Sequence, residues 1–320
     1  MEENVKEYDY LKIFDEIFFN IDDNCKVKNI IFHVNVIFST LIYKFGEVDN
    51  ELAYKDNDDI GKEHGYTHIV VLQFIRKIME QIDAINVLYS KCIFTQSDLI
   101  LRSLVENVVS LEFILKENTD FRAAAYFLQH HYEEITLGHD IEEGKRGIDI
   151  KNHISEEEYN NLKMDLDKKE KKFRHLIDNN PLFTRVDQAR EKHINNDRRK
   201  RAGKWYSWDG PENFKELMHE VELEKYYTGI YGTLSFETHA LNTTMSMKFN
   251  DDGSFTPDYI RSPIGGGNTF SLTCTFALSA LRNIYTYLGD GVEEKMEFVA
   301  FYQEFREKQA IIEKRLGMII

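Results

Sequence analysis

The sequence is poor in the residues that break helices or staple folds, and it has neither a long apolar run nor an excess of positive charge. Four prolines in 320 residues leave few obligatory interruptions to helical backbone. The three cysteines, Cys25, Cys92 and Cys274, are odd in number and far apart among apolar neighbours, so no disulfide framework is implied and reduced, buried thiols are expected. No apolar stretch reaches the roughly 20 residues that a membrane span requires. Met1 to Tyr10 is acidic and lacks the cationic start and apolar run of a secretory signal or presequence. No membrane partner is therefore expected, and the expected location is cytoplasmic. The formal charge of −15 opposes general attraction to nucleic acid or anionic lipid, so any polyanion site has to be a local basic patch.

What is present is a globular composition, 42% hydrophobic and 30% charged, with apolar residues recurring at helical spacing nearly throughout. The expected fold is all-α: one helical domain over residues 1–320, an up-and-down bundle with an irregular charged insertion over 140–205. Helices are expected through Tyr10–Phe18, Val27–Ile42 and His68–Cys92. A core helix comes next, carrying Leu101, Leu104, Val105, Val108, Leu111 and Leu115, with Thr95 and Asp98 at cap spacing before it. Asp49 to Asp59 reads as a solvated loop. Thr119 and Asp120 open the next helix, and Ser155 with Glu158 forms a capping box before a surface helix whose Asp165–Lys172 stretch is almost wholly charged. Phe249-Asn-Asp-Asp-Gly-Ser-Phe255 carries a hairpin signal, so a short ribbon near 245–260 is the one expected strand pair. Two final helices are expected after Gly265–Gly267 and from about Val292 to Leu316.

Several constellations could carry chemistry. Ser235 and His239 stand four apart, on one helical face. They lack the orienting acid and the oxyanion donors of a hydrolase, and Gly265–Gly267 matches neither the Walker nor the dinucleotide fingerprint. Arg102 and Glu106 are also four apart, in the order that is weaker for an exposed pair. Either they pair inside the bundle with other polar groups or Arg102 reaches a ligand. His64 with His68, and His130, His131, Glu133, Glu134 and His139, are loose groupings without the spacing of a zinc-protease or carboxylate-bridged site, so neither a metal nor a cofactor is expected. The basic cluster Arg198, Arg199, Lys200, Arg201 and Lys204 runs straight into Trp205, Tyr206 and Trp208. Cations beside aromatics suit single-stranded RNA, while the alternative is a solvated loop whose tryptophans cap the core.

The run Leu101-Arg-Ser-Leu-Val-Glu106, then the tryptophan-bearing stretch, then Tyr231-x-x-Leu234-Ser235-x-x-x-His239, resembles the bacterial domain-of-unknown-function family fifty-six seventy-seven, in pieces over roughly residues 66–240. That resemblance implies a helical bundle and no established activity. The Ser-x-x-x-His ending is also similar to the closing helix of the helical nucleotide-binding (HEPN) bundles, many of which are RNases of toxin and phage-defence systems. Those pair an arginine with a histidine five to seven residues later. Here Thr233 stands six before His239 and no arginine lies between Gly229 and His239, so the likeness implies that Arg102 would supply the cation from another helix. On that reading Arg102, Glu106, Ser235 and His239 form the site, RNA is a partner, and a protein partner or second copy remains open.

Overall fold

The computed structural model describes residues 25–57, 65–143, 154–196, 204–234, 247–257, 266–289 and 292–317. The helix read through Tyr10–Phe18 lies outside them. Helices dominate, as expected, and among the described residues the strands are two three-residue segments. The chain divides into two compact units, one of Met1–Tyr54, Leu72–Glu112 and Lys225–Ile320, the other of Lys55–Val71 and Phe113–Glu224.

The first unit begins with α1 (Cys25–Asn57). Its expected end near Ile42 and the loop expected from Asp49 are both overturned: the helix continues, because Phe45, Val48 and Leu52 keep the i, i+3, i+7 spacing and are all buried. Asp49, on the outward side, accepts from Arg76 at 3.1 Å. Arg76 lies on α2 (Gly65–Ser90), whose Ile75, Ile78, Ile82, Ile85 and Tyr89 are buried. Next comes α3 (Phe94–Lys116), the helix with the densest apolar face. The Thr95–Asp98 cap does not form. The helix starts at Phe94, and the Asp98 carboxylate turns inward to accept the Thr269 hydroxyl at 2.5 Å. A polar tie joins α2 and α3: Gln81 donates to Ser103 at 2.8 Å and accepts from Asn107 at 3.0 Å.

The unit closes with α8 (Gly267–Leu288) and α9 (Val292–Leu316), which pack on one another. Ahead of α8, Gly266 has φ +79°, and a Cβ there would lie 2.7 Å from the Phe94 ring. Its carbonyl also accepts the Tyr89 hydroxyl. The triple glycine thus supplies a left-handed residue in close contact with a ring, which only glycine fits without strain. Lys44 of α1 is buried, yet it donates to Glu47 at 2.9 Å and Glu297 at 2.5 Å and sits over the rings of Tyr285 and Phe301. These partners hold its ammonium charged against the opposing effect of burial. The ribbon, β1 (Met247–Phe249) with β2 (Phe255–Pro257), is antiparallel with Lys248 opposite Thr256, and Gly253 at φ +80° closes its turn. Cys92 and Cys274 are buried and free, as expected. The Cys25 side chain is outside the described set.

The second unit is built on α4 (Thr119–Glu143), α5 (Glu156–Asp178), α6 (Pro181–Asn196), a 3-10 turn (Trp205–Trp208) and α7 (Phe214–Glu220). Within 140–205 the described residues form regular helices rather than irregular chain. The Ser155–Glu158 box caps α5 as expected, and only Phe173 and Ile177 of that helix are buried. Two aromatics then make α6 part of the core, since Phe183 meets Tyr66 and Phe127 with ring centroids 4.5 and 5.8 Å apart. Arg122, with a side chain only 5% exposed, lies 3.6 Å over the Phe113 ring, donates to the Phe113 carbonyl at 2.7 Å and reaches Glu117 at 2.9 Å.

Candidate functional site

On α3, four-residue spacing brings Arg102 and Glu106 to one side of the helix, where Arg102 Nε donates to Glu106 Oε1 at 3.3 Å. Facing them is Tyr231, the last residue of a π-turn (Tyr227–Tyr231) in which the Gly232 N–H bonds back to the Tyr227 carbonyl. Arg102 Nη2 donates to the Tyr231 hydroxyl at 3.2 Å, and that hydroxyl donates to Glu106 Oε1 at 2.7 Å. The guanidinium carbon lies 5.0 Å from the centre of the Tyr231 ring. Each pair within this triad is therefore hydrogen-bonded, and the ring adds a cation–π contact. Just before the turn, Tyr226 packs against Phe276 of α8 with centroids 5.3 Å apart, and Tyr227 stacks on Tyr231 at 5.6 Å.

The electrostatics stem from partial burial. Desolvation and then the Glu106 carboxylate, outweighing Arg102, push the Tyr231 phenol up to about 12, so it stays protonated and a donor at neutral pH. Burial alone would lower the Arg102 guanidinium, but Tyr231 and Glu106 outweigh it and the shift is upward. The Arg102 side chain is 19% exposed and that of Glu106 is 42% exposed. The triad is anchored at its arginine and open at its carboxylate.

Of the four residues expected to converge, Arg102 and Glu106 meet, and Ser235 and His239 lie outside the described residues. Leu234, one position before Ser235, is buried. Tyr231 belongs to the motif, but sequence reasoning does not mark it as a site residue, because an aromatic on an apolar stretch has the signature of core. Sequence reasoning misses Glu112 altogether. It sits in the run Val-Val-Ser-Leu-Glu-Phe-Ile-Leu, where a lone acid needs an internal partner, and it accepts from Ser279 at 2.5 Å.

The basic-aromatic stretch divides. Arg198, Arg199, Lys200 and Arg201 lie outside the described residues, and Lys204 is exposed. Trp205 and Trp208 do not offer stacking surfaces. Both are buried, Trp205 against Phe113 and Tyr126 with centroids 5.8 and 5.4 Å away, and Trp208 against Tyr132 at 6.0 Å. Large apolar rings beside a charged run found more area to bury in the core than in solvent. Among the loosely grouped histidines, His131 lies 3.6 Å from Glu134 and lines a cleft of about 30 Å³ with Ile135, Leu166, Lys169 and Phe173. His68 is buried on α2. His64 and the His139 side chain are outside the described residues, among which no three His, Cys, Asp or Glu side chains gather as metal ligands. No helix there is long and apolar enough to cross a membrane.

A family of unknown function (DUF5677) matches residues 68–256, a span that contains both α3 and the Tyr231 turn, and the chain belongs to that family. No curated protein and no solved structure matches it.

Proposed function

We propose that the protein is an RNA-directed component of a bacterial defence system, HEPN-like in its chemistry, with its site at Arg102, Glu106, Tyr231, Ser235 and His239. The observation that supports this reading is the hydrogen-bonded triad. It joins the arginine-acid helix to the first residue of the Tyr-x-x-Leu-Ser-x-x-x-His motif, 129 positions along the chain, so two sequence signatures of one family meet in space. Arg102 would neutralise charge developing on a phosphate while His239 handles the proton, and Glu106 with Tyr231 would fix the guanidinium's direction. The phosphate contacts would come from Arg198, Arg199, Lys200, Arg201 and Lys204 rather than from base stacking on Trp205 or Trp208.

A second reading, a non-enzymatic interaction protein, is favoured by one feature of the same triad: its donors and acceptors satisfy one another, and Glu106 already balances the Arg102 charge. The experiment that separates the two uses labelled single-stranded RNA with wild type and His239→Ala, alongside thermal melts. Binding and cleavage by wild type, with cleavage lost in His239→Ala at an unchanged melting temperature, is the expected result. Wild type that neither binds nor cleaves RNA would leave the structural reading standing.

A further inference from the structure

The last helix, α9, is apolar on two faces. Phe298, Phe305, Ile312 and Leu316 are buried, but Met296, Val299 and Ile311 are 66, 50 and 55% exposed. A helix with apolar residues all round is normally covered all round, and no described element covers this outward side.

The outward side has a particular order. Met296, Ala300, Gln303, Glu307, Ala310 and Lys314 repeat at alternating spacings of four and three, the seam of an antiparallel helix pair. The order is also its own reverse about position 305: Met296 answers Lys314, Val299 answers Ile311, Ala300 answers Ala310, and Gln303 answers Glu307. A helix laid antiparallel on a copy of itself thus sets an aliphatic chain on an aliphatic chain, methyl on methyl, and an amide donor on a carboxylate, twice each. Charge fixes the direction. Residues 292–304 carry four glutamates against one lysine, whereas residues 305–316 carry four cations against two glutamates. Antiparallel pairing puts acidic half against basic half, and parallel pairing would put like against like.

We propose that the outward face of α9 is the interface of a two-fold symmetric homodimer, with the α9 helices of two copies crossing antiparallel near Phe305. Such an interface is isologous: each patch meets the identical patch of its partner. Ala300 and Ala310 let the two backbones approach closely, and Val299 and Ile311 cover the edges of the seam.

Sedimentation of the full chain across a concentration series tests this. The expected result is a concentration-dependent rise to twice the chain mass of 37.8 kDa. Ala300→Glu places two like charges inside the seam and is expected to weaken association at least about a hundredfold, with an unchanged circular dichroism spectrum and melting temperature. The direction is read by cross-linking in a Cys25→Ser background: Ala300→Cys mixed with Ala310→Cys gives an oxidised dimer, and either protein alone gives little. A monomer at every concentration, a dimer indifferent to Ala300→Glu, or cross-linking that prefers each variant with itself would overturn the proposal.

Discussion

Arg102 and Arg122 are two arginines treated differently by neighbouring stretches of the same sequence. Each lies over an aromatic ring and pairs with a glutamate. Arg122 also donates to a backbone carbonyl, that of Phe113, and its side chain is 5% exposed. Its partners fix the end of α3 relative to α4 and leave it no room to do anything else. Arg102 has a side-chain partner instead, the Tyr231 hydroxyl, and its glutamate faces water. Hydrogen bonds to backbone are the signature of a brace. A guanidinium held by a phenol and a half-exposed carboxylate is oriented while its surroundings stay open, which is what ligand contact needs.

The contrast is sharpened first by truncating the brace. Arg122→Ala is expected to cost about 3 kcal/mol in urea unfolding, since it strands the Phe113 carbonyl and empties the space over its ring. Arg122→Lys should recover little of that, because an ammonium cannot span both partners. Tyr231→Phe keeps the ring and loses the hydroxyl, for which about 1 kcal/mol is expected. If Tyr231→Phe proved as costly as Arg122→Ala, the two arginines would be braces alike.

The smallest effect is a slope with pH. Burial raises the Glu112 carboxyl above its ordinary value of 4.5, against the opposing bonds from Ser279 and Asn283. The native state therefore holds that proton at pH values where the unfolded chain has released it. The stability it contributes is complete below about 4.5 and declines as pH rises towards the folded value. Glu112→Gln should flatten that decline in unfolding titrations begun at pH 4.5, and an unaltered slope would mean that the proton is not held there.

Much of the helical architecture is legible in the sequence because apolar spacing is a property of sequence alone. The helix of Leu101–Leu115, the Ser155–Glu158 cap, the turn at Gly253 and the final helix from Val292 all arise from local chemistry. The failures share one cause. Asp49 reads as loop because it is acidic, and Asp98 as a cap because it stands three after Thr95, yet each carboxylate answers a residue far along the chain, Arg76 and Thr269. Trp205 and Trp208 read as companions of the cations that precede them, whereas their neighbours in space are Phe113, Tyr126 and Tyr132. The Arg102–Glu106 half of the site is readable from helical spacing. Its Tyr231 third is not, because a polar contact across 129 positions leaves no local trace.

The π-turn at Tyr227–Tyr231 has a geometric consequence of its own. Closing a turn over five residues rather than four admits one extra residue, and each residue of a helix rotates the next by about 100°. The wide turn therefore acts as a clutch between the backbone on its two sides. Tyr226 engages Phe276 ahead of it, and at its far end Tyr231 arrives over Arg102 with Leu234 turned inward. With an ordinary turn there, the same letters in the same order would present Tyr231 a quarter-circle away from its arginine. The family motif is in this sense a statement about phase as much as about residue identity.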